Sequence, residues 1–147
     1  MLALLARREH SRTELQRKLR QKGHAEAHVD HVLDDLAQDD CLSDARFAES
    51  YLHVRIEKGY GPLHIRAQLR ERGVAEALIS ELLASCAVDW REQAESTRRK
   101  RFGQGLPHGF QERARQARFL QSRGFSTEQI RQVLGSERDR DEANDDR

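Results

Sequence analysis

His24, His28 and His31 are spaced four and three residues apart, with Asp35 four further on. On a helix that spacing shares one face, and such a face could ligate a metal ion. The same stretch carries Val29, Val32 and Leu33, an apolar stripe that must turn to a core. The histidines are therefore expected in solvent, and no metal is expected. Asp34-Asp35 and Asp39-Asp40 are adjacent pairs; neighbours on a helix diverge, so they do not form an acid and base around one substrate. Cys41 falls in an expected loop with no evident histidine partner, and Cys86 falls at a core position of the repeat described below. A buried small hydrophobe is the expected role of Cys86. Two cysteines make neither a disulfide framework nor a four-ligand zinc site. No G-x-x-x-x-G-K-[ST] loop occurs, and Gly59-x-Gly61-Pro62 lacks the strand and the third glycine of a dinucleotide site. No catalytic residue, cofactor or metal ligand is assigned, and the chain reads as a non-enzyme.

The cations carry more. The 26 Lys+Arg and 25 Asp+Glu nearly cancel, yet they are blocked along the chain. Residues 7–22 hold seven bases and two acids, residues 26–49 one base and eight acids, residues 98–131 nine bases and two acids, and residues 135–147 three bases and six acids. Basic blocks of this kind attract phosphate or acidic protein surface, whereas the acidic blocks argue against a protein that simply coats DNA. Lys22, Arg72 and Arg123 each precede a glycine, and a cation there complements a helix dipole. That explanation does not reach Arg55, Lys58, Arg66 and Arg70, nor Arg98, Arg99, Lys100, Arg101, Arg113, Arg115 and Arg118. These eleven are the expected contacts to a partner or to DNA, through forked or point-charge pairing with carboxylates and phosphates.

The elements that must position them come from a repeat. Leu15-x3-Leu19-x3-Gly23-x5-Val29-x2-Val32-Leu33 aligns with Ile65-x3-Leu69-x3-Gly73-x5-Ile79-x2-Leu82-Leu83 and with Leu120-x3-Gly124-x5-Ile130-x2-Val133-Leu134. The glycines lie 50 and 51 residues apart, and Gln116 stands where Leu15 and Ile65 stand. Such periods mark modular arrays. Each unit reads as a helix ended by its glycine, then a second helix with a narrow apolar stripe. Ser11 with Glu14 and Ser126 with Gln129 fit capping boxes, and Pro62 suits a first helical position. A third helix precedes each pair: one capped by Ser43 and stopping at Gly59, one over about residues 89–102, and a short one over about residues 2–9. The expected fold is all-α, an elongated, curved array of three tandem three-helix repeats at 1–38, 39–87 and 88–134, with an acidic, disordered tail at 135–147.

The chain has 147 residues, 35% of them charged, 37% apolar and 5% aromatic, with a mean hydropathy of −0.87. Small aliphatic cores that support one another fit this composition better than one thick core. No apolar run approaches the roughly 20 residues of a membrane helix. The short apolar start precedes its arginines, the reverse of a secretory signal. A cytoplasmic monomer is expected.

The stretch Cys41-Leu-Ser-Asp-Ala-Arg-Phe-Ala-Glu-Ser50, followed by Arg55-x-x-Lys58-Gly-Tyr-Gly-Pro62-x-x-Ile65-x-x-x-Leu69-x-x-x-Gly73-Val74, resembles the RecX family of bacterial recombination regulators. The opening Leu4-Leu5-Ala-Arg-Arg-Glu-His-Ser11-x-x-Glu14-Leu15-x-x-Lys18-Leu19 and the late Arg118-Phe-Leu-x-x-Arg-Gly-Phe125 match its first and last repeats. The resemblance covers about residues 2–134. The sequence begins nearly at the first repeat, where many members are expected to carry an N-terminal extension, and the acidic tail lies outside the motifs that carry the resemblance. The resemblance implies a curved array of three-helix repeats that binds the RecA filament on single- or double-stranded DNA. It also implies inhibition of strand exchange and ATP hydrolysis. The alternative function is a helical-repeat protein that binds DNA directly, each unit docking a groove as helix-turn-helix domains do.

Overall fold

The computed structural model of the chain describes residues 4, 5 and 8–135. The tail expectation for residues 136–147 lies outside them. Eight helices with defined ends run through the described residues: α1 (Arg12–Gln21), α2 (Glu26–Gln38), α3 (Asp44–Glu57), α4 (Pro62–Glu71), α5 (Glu76–Ser85), α6 (Trp90–Phe102), α7 (Gly109–Ser122) and α8 (Thr127–Leu134). No strand occurs among the described residues. Leu4 and Leu5 are helical, while Arg8, Glu9 and His10 are not, so the short leading helix stops sooner than its expected end at Glu9.

The expected caps form. Ser11 Oγ accepts from the Glu14 amide at 3.1 Å while Glu14 Oε1 accepts from the Ser11 amide at 3.2 Å. Ser126 and Gln129 repeat the exchange at 3.2 and 2.9 Å. Ser43 accepts from the Arg46 amide at 3.2 Å, Asp89 caps α6, and Pro62 is the first residue of α4.

The repeat is equally plain at the other helix ends. After α1 the Gly23 amide donates to the Arg20 carbonyl at 3.0 Å and the His24 amide to the Leu19 carbonyl at 3.2 Å. The same two bonds recur at Gly73 and Val74 (2.9 and 3.0 Å) and at Gly124 and Phe125 (3.0 and 3.1 Å). This is the Schellman closure, which needs a left-handed residue; the three glycines have φ of 85°, 81° and 95°. Leu15, Ile65 and Gln116 are all buried, as are Leu19, Leu69 and Leu120. Cys86 departs from its expected core place. Helix α5 ends at Ser85, leaving the thiol half-buried and donating to the Leu83 carbonyl at 3.2 Å.

The chain divides into two compact units that cut across the repeats. The first comprises residues 1–54 and 66–86, the second residues 55–65 and 87–147. In the first, Leu15, Leu19, Val29, Leu33, Leu36 and Leu42 form a core against which Leu4 and Leu5 pack. In the second, Ala94, Leu120, Phe125, Val133 and Leu134 form a core with Trp90 and Ile130 at its edge.

Each unit contains the same joint. In the first, Ser11 at the start of α1 donates through Oγ to the Arg72 carbonyl at 2.7 Å, and Thr13 faces Gly73 so closely that a Cβ there would overlap it. In the second, the Gly61 amide before α4 donates to the Arg123 carbonyl at 2.7 Å, and the Leu63 amide to the Gly124 carbonyl at 2.9 Å. The first turn of the helix in one repeat thus docks on the glycine turn of the next repeat. This explains why a compact unit does not coincide with a repeat.

Candidate anion-binding surface

The eleven predicted cations meet different fates. Arg66 and Arg70 on α4 both pair with Glu76 at the start of α5. Their forks hold the Glu76 carboxyl down to about 2, chiefly through the hydrogen bond from Arg70. Arg99 binds Glu95 at 3.0 Å, and Arg115 binds Glu112 at 3.4 Å. Arg113 places Nη1 out of solvent with no hydrogen-bond partner among the described residues. Arg118 is exposed.

Arg98 is a correction. The sequence predicts it as a contact, but its side chain is 0% exposed. Nη2 binds Glu95 Oε1 at 2.8 Å, Nε reaches Glu95 Oε2 at 3.3 Å, and Nη1 donates to the Gly105 carbonyl at 3.0 Å. Further bonds run to the carbonyls of Gly103 and Gln104. Arg98 pins the loop that leaves α6, and the bonds it gives keep the Glu95 carboxyl below its usual range. A partner cannot reach it.

Of the remaining four, Lys58, Lys100 and Arg101 converge within the second unit, where Arg123, assigned from the sequence only to a helix dipole, joins them. Lys58, Lys100, Arg101 and Arg123 line a concavity of about 200 Å³ together with Glu57, Gly59, Thr97 and Phe119. Lys58 follows α3, Lys100 and Arg101 stand in the last turn of α6, and Arg123 caps α7. Gly59 and Thr97 are tied by the Thr97 hydroxyl, which donates to the Gly59 carbonyl at 3.1 Å. None of these four cations has a carboxylate within ion-pair distance among the described residues. Several arginines elsewhere are mated: Arg8 to Glu14 at 3.1 Å, Arg12 to Asp34 at 2.6 Å, Arg46 to Glu9 at 3.2 Å and to Asp40 at 3.1 Å, and Arg131 to Glu128 at 3.4 Å.

Aromatic rings replace carboxylates as the braces. The Arg123 guanidinium lies 4.9 Å from the Tyr60 ring centre and 5.3 Å from that of Phe119. Arg101 lies 5.7 Å from the Phe119 ring, and Arg55 5.4 Å from Tyr60. Such contacts hold a cation through the ring quadrupole and leave its N–H edges free to donate. Tyr60 stacks on His64 with centroids 4.2 Å apart. The His64 imidazole is held below its ordinary pKa by burial first, then by Arg55 and Arg123. Arg123, Tyr60 and Phe119 are what the sequence reading missed. A cation before the repeat glycine has a sufficient local reason in the helix dipole, and its two rings lie far apart in the chain.

His24 and His28 are exposed, and His31 meets Asp35 at 3.5 Å. Among the described residues no group of three His, Cys, Asp or Glu is arranged to hold a metal ion. No helix among them is long and apolar enough to cross a membrane.

Repeated helical units, with no strand among the described residues, define a protein built from three-helix modules. Three family patterns match it in order: RecX, first three-helix domain, over residues 1–36; RecX, second three-helix domain, over 43–83; and RecX, third three-helix domain, over 89–134. The regulatory protein RecX of Halorhodospira halophila is 46% identical over 141 residues, 96% of this chain and 88% of that one. That of Pseudomonas fluorescens is 46% identical over 139 residues, 95% of this chain and 89% of that one. The crystal structure of RecX from Lactobacillus salivarius superposes with a TM-score of 0.75 at 21% identity, over 90% of this chain and 88% of that one. A second crystal structure of a regulatory protein RecX gives 0.76 at 24% identity, over 91% of this chain and 67% of that one; these two likenesses concern the fold. The chain belongs to the RecX family of regulatory proteins.

Proposed function

We propose that this chain binds the RecA–DNA filament as a cytoplasmic monomer and lowers the recombinase's ATP turnover and strand exchange. Repeats 1–38, 39–87 and 88–134 act as successive modules, and the protein catalyses nothing itself. Family membership supports the partner, and the observation that carries the mode of action is the set of four cations lining the second-unit concavity, none of which has a carboxylate within ion-pair distance among the described residues. Charges left unmated while others are mated are available to a polyanion. The contacts are accordingly Lys58, Lys100, Arg101, Arg118 and Arg123; Arg55 stands against the Tyr60 ring. Arg66, Arg70, Arg99 and Arg115 are engaged with Glu76, Glu95 and Glu112 and contribute less.

Titrating the purified protein into RecA assembled on single-stranded DNA should reduce ATP hydrolysis and strand exchange together. Unchanged rates at saturating protein would end this reading.

A further inference from the structure

We propose that the second-unit concavity is a binding site for a multiply charged phosphoryl group, a phosphomonoester or a pyrophosphate. The inference goes beyond action on the filament and does not depend on it.

Charge balance is the first argument. Lys58, Lys100, Arg101 and Arg123 bring four positive charges to one concavity against the single carboxylate of Glu57. A side-chain carboxylate or a phosphodiester supplies one negative charge, whereas a phosphomonoester supplies about 1.5–2 and three strong acceptor oxygens. The more highly charged anion is the better match.

Donor geometry is the second argument. Among the described residues the side chains of Arg101 and Arg123 donate no hydrogen bond within the protein, and rings lie against them, Phe119 against both and Tyr60 against Arg123. Such a guanidinium presents a ready fork for two oxygens of a tetrahedral anion, and the lysines add point charges. The Thr97 hydroxyl is already committed, donating to the carbonyls of Gln93 at 2.8 Å and Gly59 at 3.1 Å. The free donors of the concavity are therefore cationic.

Size is the third argument. A volume of about 200 Å³ lies below the range that encloses drug-sized ligands. It suits one or two phosphoryl groups, with any nucleoside left outside beside the rings. The His64 imidazole, stacked on Tyr60, is held below its ordinary pKa by burial first and then by Arg55 and Arg123. A bound anion should raise that pKa.

The test uses the whole chain without recombinase. Sodium pyrophosphate is titrated at constant ionic strength into the wild type and into the Lys100→Ala/Arg101→Ala double variant, with calorimetry and the His64 imidazole resonances as readouts. Saturable binding, an upward shift of the His64 pKa, and weakening by at least about tenfold in the double variant are expected, since two charge-assisted donors are lost. Circular dichroism confirms that the variant keeps its helices, and Lys58→Ala repeats the test from a different element. Short oligothymidylates with a 5′-phosphate or a 5′-hydroxyl then identify the source. Preference for the phosphorylated strand assigns the site to a strand end, and equal affinities assign it to a free oligophosphate. Absent pyrophosphate binding, equal binding by the double variant, or equally effective competition by polyglutamate overturns the proposal. RecA inhibition that persists in that event leaves the filament reading standing.

Discussion

Gln116 occupies the place that Leu15 and Ile65 fill in the other repeats, and it is as deeply buried as they are. Its amide nitrogen donates to Glu112 Oε1 at 3.3 Å, but Oε1 of Gln116 has no hydrogen-bond partner among the described residues. A buried acceptor left unmatched is destabilising. Gln116→Leu should therefore raise the unfolding free energy by about 1 kcal/mol, read as a higher urea midpoint at unchanged slope. His10 is also buried, with Nδ1 3.0 Å from the Arg8 carbonyl and Nε2 2.9 Å from Lys18 Nζ. An ammonium only donates, so Nε2 accepts, Nδ1–H donates to the carbonyl, and the ring is neutral. Burial first, then the Arg8 guanidinium, lower its pKa below 6.5. The unfolded chain then takes up this proton at a higher pH than the folded one. Stability is complete above pH 6.5 and declines as the pH falls from there towards the folded pKa. The urea midpoint should be lower at about pH 5.5 than at about pH 7.5, and His10→Gln should flatten that difference. His64 carries a shift of the same sign and supplies the part that remains.

At the scale of elements, three chemically identical glycine turns have unequal surroundings. A Cβ on Gly23 would meet nothing within 4 Å, whereas a Cβ on Gly124 would lie 2.3 Å from His64 Cβ and 2.4 Å from its backbone nitrogen. Gly23→Ala should cost only the left-handed penalty of about 1–2 kcal/mol. Gly124→Ala adds a backbone clash that no rotamer relieves and should cost more than about 4 kcal/mol. Thermal denaturation of the two variants measures the gap, and equal losses would show that the turn, not the joint, makes glycine necessary. This is also where legibility in the sequence divides. Helix ends could be read because caps act over three or four residues: Ser11 with Glu14, Ser126 with Gln129, and the glycine after Leu19, Leu69 and Leu120. The joint could not, because it couples Ser11 to Arg72 and Gly61 to Arg123 through backbone carbonyls, and carbonyls leave no trace in residue types. Arg98 was misread for a related reason. A run of four cations looks like one solvated face, yet α6 turns successive side chains about 100° apart, and one of the four must point inward.

For the whole molecule, a net charge of +1 hides a division between cations that are mated and cations that are not. The sequence showed that residues 98–131 are basic, but which of them are neutralised depends on carboxylates brought close by folding or placed one turn away, as Glu76 is for Arg66 and Arg70 and Glu95 for Arg99. The proposed function rests on that division and not on charge density, and the two can be told apart at constant charge. Lys58→Gln/Lys100→Gln/Arg101→Gln and Arg12→Gln/Arg20→Gln/Arg131→Gln each remove three positive charges. The second set breaks the ion pairs with Asp34, Glu26 and Glu128, each exposed and of small energetic weight. If inhibition of the RecA filament followed net charge alone, both triple variants would weaken it alike. Because the first set leaves Arg123 as the one cation in the concavity's lining and the second leaves the lining intact, the half-inhibitory concentration should rise at least about tenfold for the first and stay within about twofold for the second. Raising the salt should shrink the difference, since the contacts that the first set removes are the ones screened by counterions. A pair of variants that inhibit equally at low salt would mean that the filament is gripped elsewhere on the chain.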